Sequence, residues 1–260
     1  KRLAYEELLL LQLALMLSRK TSEKIGGIPK TFSGELAERF VHSLPFKLTN
    51  AQVRAHEELS VDLKSSNPMN RLLQGDVGSG KTLVAELAII DNYEAGYQSA
   101  FMVPTSILAV QHYQKLFTHL TDLGIRVALL VGSTSQREKE TIKSALESGD
   151  LDVVIGTHAL IQEDVHFANL GLVIIDEQHR FGVKQREELI SKGRVVDTLI
   201  MTATPIPRTL SLTLYGDLDV SIIDEMPPGR KEIKTFTLRH TRAKEVYNFV
   251  RQQVIENGDR

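Results

Sequence analysis

A chain of 260 residues, 42% hydrophobic and 25% charged, has globular proportions; this excludes a disordered or fibrous polypeptide and supplies a full core. With no cysteine it can hold no disulfide scaffold, thiolate metal site or cysteine nucleophile. A net charge of −2 leaves any nucleic-acid contact to a local patch, and no Trp with 6% aromatics argues against a stacking platform for single strands.

The chain opens with Lys1-Arg2 and an apolar run from Leu8 to Leu17. Glu6 and Glu7 interrupt the entry to that run, Gln12 breaks it, and Ser18-Arg19-Lys20 ends it without a small-residue cleavage site. It therefore reads as a buried helix over residues 3–18, not a signal peptide or membrane span. A start at Lys1 and not Met suggests a piece of a longer protein. Gly26, Gly27, Pro29 and Gly34 mark a connection, and Glu35 to Ser43 reads as a short helix stopped by Pro45. Thr49 is placed to N-cap a helix over 51–64, closed by Asn67-Pro68. Beyond it, short apolar runs at Leu72-Leu73, Ala100–Val103, Val127–Val131, Val153–Ile155, Leu172–Ile175 and Leu199–Met201 predict buried strands. Helical stretches near 82–95, 107–120 and 136–147 separate the first four, while 157–170 and 182–197 are mixed. Near-continuous Val/Ile/Leu runs alternating with helices predict an α/β fold, its mostly parallel sheet covered on both faces. Ligands of such sheets sit at the carboxyl ends of the strands. Met226-Pro227-Pro228-Gly229-Arg230 reads as a linker, and Arg242–Asn257 as one more amphipathic helix.

Two strand ends carry chemistry. Gly75-Asp76-Val77-Gly78-Ser79-Gly80-Lys81-Thr82 fits G-x-x-x-x-G-K-[ST] at every position, after a strand and before a helix. Glycines let backbone amides curl around phosphate oxygens, and the helix N-terminus adds the positive end of its dipole. Lys81 is the cation for the β- and γ-phosphates of ATP, and the Thr82 hydroxyl is a ligand for Mg²⁺. Leu172-Val173-Ile174-Ile175 runs into Asp176-Glu177. Paired carboxylates at the end of a buried strand repel unless a cation or phosphate chemistry employs them. Asp176 suits the Mg²⁺ shell, and Glu177 suits orienting and deprotonating an attacking water.

Asp176-Glu177-Gln178-His179 resembles the DExH box of superfamily 2 helicases and translocases, and Thr202-Ala203-Thr204-Pro205 resembles their motif III. Phe46 through Gln52 resembles the adenine-reading Q motif, which implies Gln52 on the base and Phe46 stacking nearby. Pro104-Thr105 resembles motif Ia and Gly156-Thr157-His158 motif Ib, which implies a grip on a nucleic-acid backbone; Gly132-Ser133 joins that group. Longer strings at 69–82, 174–183 and 202–210 resemble the RecG family of bacterial ATP-dependent DNA helicases, which remodel stalled forks and Holliday junctions. The transcription-repair coupling (Mfd-like) translocases are the nearest alternative, and Gln74 with Gln178-His179 favours RecG. Ser106 and Val131 depart from the commoner RecG pattern, away from the hydrolysis residues.

What the resemblance implies is a RecA-like P-loop NTPase domain over 46–225, behind a helical lead-in over 1–45 from an upstream wedge domain. Residues 226–260 would be a linker and first helix leading to a second RecA-like domain. Gln178, His179, Thr202, Thr204 and Arg208 would couple nucleotide to DNA. The implied partners are branched, single- or double-stranded DNA, in the cytoplasm and without a membrane. The arginine segment of the second domain should lie beyond Arg260, and such an arginine is worth about 10³–10⁵ in turnover. Residues 1–260 alone are therefore expected to be nearly inactive, and an isolated docking module without turnover is the alternative of a different class. His112, His119, His158 and His166 lack ligand spacing and read as ordinary polar residues.

Overall fold

The computed structural model describes residues 26–177, 183–204, 218–227 and 237–257, together with Glu6, Leu9 and Leu13. Those three isolated positions are helical, but Leu9 and Leu13 are 44% and 47% exposed. Spaced i, i+4, they share one helix face, and that face is not buried as the sequence reading expected. The rest of the lead-in helix over 3–18 lies outside the described residues.

The chain divides into two compact units, Lys1–Pro227 and Pro228–Arg260. Within the first, α1 (Glu35–Ser43) and α2 (Asn50–Leu63) precede β1 (Asn70–Gly75), α3 (Lys81–Glu94), β2 (Gln98–Met102) and α4 (Ser106–Thr121). Then follow β3 (Val127–Leu130), α5 (Gln136–Ser148), β4 (Val153–Gly156), a 3₁₀ turn at His158–Ile161 and β5 (Leu170–Asp176). The series ends with α6 (Val183–Ile190), β6 (Asp197–Thr202) and β7 (Asp219–Ile223). In the second unit, a 3₁₀ turn at His240–Arg242 leads into α7 (Ala243–Asn257). No described helix is long and apolar enough to cross a membrane.

The seven strands form one sheet in the order β3-β4-β2-β5-β6-β1-β7, and every pairing is parallel. Period-2 alternation assigns the strand residues to two apolar layers. Leu73, Phe101, Val103, Ile155, Leu172, Ile174, Leu199 and Met201 join the layer built with α1, α2, α3 and α4. Ala100, Met102, Val154, Val173 and Ile175 point the other way, against Leu146 of α5, Leu160 of the 3₁₀ turn and Leu189 of α6. Burial on both faces is why these strands are near-continuous Val/Ile/Leu runs.

Two expectations need adjustment. β7 is absent from the sequence reading because Asp219-Val220-Ser221-Ile222-Ile223 is an edge strand in which only Ser221 and Ile223 are buried, so no apolar run announces it. The mixed segment 157–170 holds a single 3₁₀ turn, whereas 182–197 yields the short α6.

Candidate functional site

β1 delivers the glycine-rich loop. Gly78 and Gly80 have φ of 83° and 92°, the left-handed region that glycine enters without a steric penalty. At Gly80 a Cβ would lie 2.1 Å from Nε2 of Gln52, so the position is closed to any side chain twice over. Gly80 is also the N-cap of α3 and supplies no side-chain cap, which leaves the positive end of a 14-residue helix facing the loop. Lys81 folds back, its Nζ donating to Gly75 O at 2.7 Å and Asp76 O at 3.0 Å. Ser79 is buried, and its Oγ has no hydrogen-bond partner.

Gln52 braces this loop from α2. Thr49 and Gln52 form a capping box: Thr49 N donates to Gln52 Oε1 at 2.9 Å, and Gln52 N donates to Thr49 Oγ1 at 3.2 Å. The remaining end of the amide, Nε2, donates to Ser79 O at 2.8 Å. Gln52 is 1% exposed and engaged on both amide atoms, Nε2 with the loop and Oε1 with the helix cap, whereas Phe46 is 46% exposed.

β5 lies two strands from β1, with β6 between. Asp176 is its last residue, and Glu177 follows with φ 54°, an uncommon backbone state for a non-glycine residue. Glu177 N donates to Met201 O of β6 at 3.1 Å, so hydrogen bonding fixes that turn. Burial lowers the Lys81 pKa, while Asp176, Glu177 and Asp76 push it back up, in that order. The lysine thus stands in the field of both acids. Thr82, in the first turn of α3, is half-buried. At the end of β6, Thr202 and Thr204 hydroxyls lie 2.9 Å apart, and Thr204 N donates to Thr202 Oγ1 at 3.2 Å. Gln178, His179 and Arg208 lie outside the described residues.

The remaining predicted residues collect on neighbouring strands. Pro104 and Thr105 follow β2, and Thr105 caps α4, its side chain accepting from Leu108 N. Gly132 and Ser133 follow β3, where Lys139 Nζ donates to Gly132 O at 2.9 Å. Thr157 and His158 follow β4; His158 is exposed, whereas Thr157 is 2% exposed and its Oγ1 has no partner. Since β3, β4 and β2 are adjacent, these six residues share one half of the sheet's carboxyl edge. The glycine loop, the acids and the threonine pair share the other half, on β1, β5 and β6.

One contact was missed from sequence. His112 of α4 places Nε2 3.2 Å from Asp176 Oδ2, with both side chains 13% exposed. The signal was available: Ala109, Leu116 and Leu120 form the buried stripe of α4, and His112 interrupts it at helical spacing. A polar group in such a stripe calls for a partner.

A family model described as DEAD/DEAH box helicase matches residues 49–213. Among curated proteins, the ATP-dependent DNA helicase RecG of Thermotoga maritima is 67% identical over 99% of this chain and 33% of its own length. The protein of the same name from Aquifex aeolicus is 51% identical over 98% of the chain and 32% of its own length. The chain thus spans about a third of these relatives. A solved structure of RecG bound to a three-way DNA junction is 65% identical with a TM-score of 0.89, covering 98% of this chain and 34% of that one. The DNA-bound DUF1998 helicase MrfA, at 19% identity and a TM-score of 0.63 over 89% of this chain and 36% of its own, shares the fold alone.

Proposed function

The chain belongs to the DEAD/DEAH box helicases, and from that premise we propose that it is the ATP-binding motor domain of a RecG-like DNA helicase that remodels branched DNA. The observation that carries this is the pairing of the glycine loop and Lys81 at the end of β1 with Asp176 and Glu177 at the end of β5. The loop and α3 present amides to phosphate oxygens, and Lys81 Nζ exchanges its bonds to Gly75 O and Asp76 O for phosphate oxygens. Glu177, pinned through its amide, orients a water toward the γ-phosphate and accepts its proton.

Mg²⁺ fits the donors present. Thr82 and Asp176 offer hard oxygens, the ligands Mg²⁺ takes with its own waters and phosphate oxygens. The partnerless Ser79 Oγ inside the loop supports the same reading, since a buried hydroxyl without a bond favours an incoming polar ligand. When bound, the metal supplies charge neutralisation across the phosphates.

The DNA half is proposed on Pro104, Thr105, Gly132, Ser133, Thr157 and His158. These residues bring hydroxyls and backbone groups to that edge instead of a basic patch, Ser133 exposed, Thr105 half-buried and Thr157 buried, which suits contact with phosphates without base readout. The motor is proposed to span 46–225, with 1–45 joining a wedge domain and 226–260 leading to a second RecA-like domain. The division at Pro227/Pro228 supports the latter boundary.

The test is a pair of variants in the full-length protein. Lys81→Ala should abolish tight MgATP binding, whereas Glu177→Gln should bind ATP and lose turnover on forked DNA. Nucleotide affinity of Lys81→Ala within twofold of wild type, or near wild-type hydrolysis by Glu177→Gln, would remove these residues from their roles.

A further inference from the structure

We propose that His112 is a positioning residue that fixes the Asp176 carboxylate for the metal; the proposal rests on the functional reading above. Asp176 is the last residue of β5, in register with Met201 of β6; strand pairing fixes its backbone, and its side chain keeps rotational freedom that the backbone does not remove. His112 Nε2 lies 3.2 Å from Asp176 Oδ2 and is the described side chain that bonds this carboxylate. The ring itself is held: Phe101 of β2 meets it edge-on, centroids 4.8 Å apart and planes at 69°. Both partners are 13% exposed, so water competes little for the contact.

Position matters as much as contact. α4 is capped by Thr105, a proposed DNA contact, and His112 stands seven residues further, about 10 Å along the axis at 1.5 Å per residue. Near its far end, His119 Nδ1 lies 2.7 Å from Glu86 Oε2 on α3, the helix that starts at Lys81. α4 is thus tied to the end of β5 by His112 and to the loop helix α3 by His119. A side chain that bonds a metal-binding carboxylate typically governs metal affinity by about 10–100-fold.

The experiment uses the full-length protein, a fluorescent ATP analogue and titrated Mg²⁺. Gln at 112 carries its amide nitrogen near the place of Nε2, whereas the amide of Asn stops a methylene short. His112→Asn should raise the half-saturating Mg²⁺ for nucleotide binding by about 10–100-fold, with metal-free nucleotide affinity and thermal midpoint unchanged. His112→Gln should restore the Mg²⁺ response to within about threefold of wild type, as a distance-dependent hydrogen bond requires. Asp176→Asn, measured alongside, should lose the Mg²⁺ response altogether. A wild-type response in His112→Asn, or equal losses in the Asn and Gln variants, would overturn the role of His112. Retention of the response by Asp176→Asn would instead overturn the metal assignment itself, and the role of His112 with it.

Discussion

Gly80→Ala tests whether the loop and α2 form one interlocked unit. Two penalties arise at once. An L-residue held at φ 92° costs about 1–2 kcal/mol in the left-handed region. The new Cβ would also lie 2.1 Å from Gln52 Nε2, so the amide must leave. Its departure breaks the bonds to Ser79 O and from Thr49 N, each worth about 0.5–1.5 kcal/mol. The single variant should therefore lose about 2–5 kcal/mol. Gln52→Ala alone forfeits the same two bonds. In the double variant the clash is gone and the bonds are lost only once, so the combined loss should fall short of the sum by about 1–3 kcal/mol. Urea unfolding of the four proteins in the cycle, followed by circular dichroism, measures this coupling. Additivity within about 0.5 kcal/mol would refute the interlock, because independent sites behave that way.

Two further outcomes follow from ion pairs away from the loop. Lys30→Ala should cost about 3–5 kcal/mol by urea midpoint, because Asp197, 2.6 Å from Lys30 Nζ, would stay buried without its cation; an unchanged midpoint would contradict this. The hydrogen bond to Glu86 raises the His119 pKa above its ordinary 6.5, so its stabilisation is full below that value and fades as pH rises through the folded-state pKa. The gap in thermal midpoint between wild type and His119→Gln should therefore be larger at about pH 6 than at about pH 9, and a gap that does not shrink would exclude the pair as its source.

What the sequence made legible was local. Six of the seven strands sit on the apolar runs, because a parallel strand buried on both faces must be apolar on both. The glycine loop was legible because its residues answer to one backbone path, with left-handed φ at Gly78 and Gly80. The acids were legible because carboxylates at the end of a buried strand need a reason. The Thr49–Gln52 capping box was also readable, since T-x-x-Q ahead of a helix is its signature, although the sequence reading assigned Gln52 to a base alone. What stayed hidden is long-range pairing. Lys30 and Asp197 are 167 positions apart, and His112 and Asp176 are 64 apart; no local pattern joins them. Those contacts are made by tertiary packing: strand order puts β5 beside β6, and α4 carries His112 to Phe101 of β2 and the end of β5.

Strand order also separates stability from chemistry. At the amino ends of the strands most buried polar groups are paired, Asn92 Oδ1 being an exception. Lys30 Nζ bonds Asp197, which opens β6, and Gly171 O near the start of β5; Asp197 also accepts from Met69 N ahead of β1. Gln98, opening β2, donates to Leu146 O and Leu151 O, and Arg126 ahead of β3 is forked onto Asp152 ahead of β4. Burial pushes the Lys30 pKa down and that of Asp197 up, and each charge is offset chiefly by the other. At the carboxyl ends the pattern reverses: Ser79 Oγ and Thr157 Oγ1 are buried without partners, and Glu177 holds a left-handed backbone. A sheet whose strands all run one way gathers its helix-forward loops at one edge, the place where ligands of such sheets bind. The cost of unmet bonds at that edge is offset by the paired groups of the opposite one, and substitutions at the two edges should accordingly be read by different assays, ligand affinity at one and unfolding at the other.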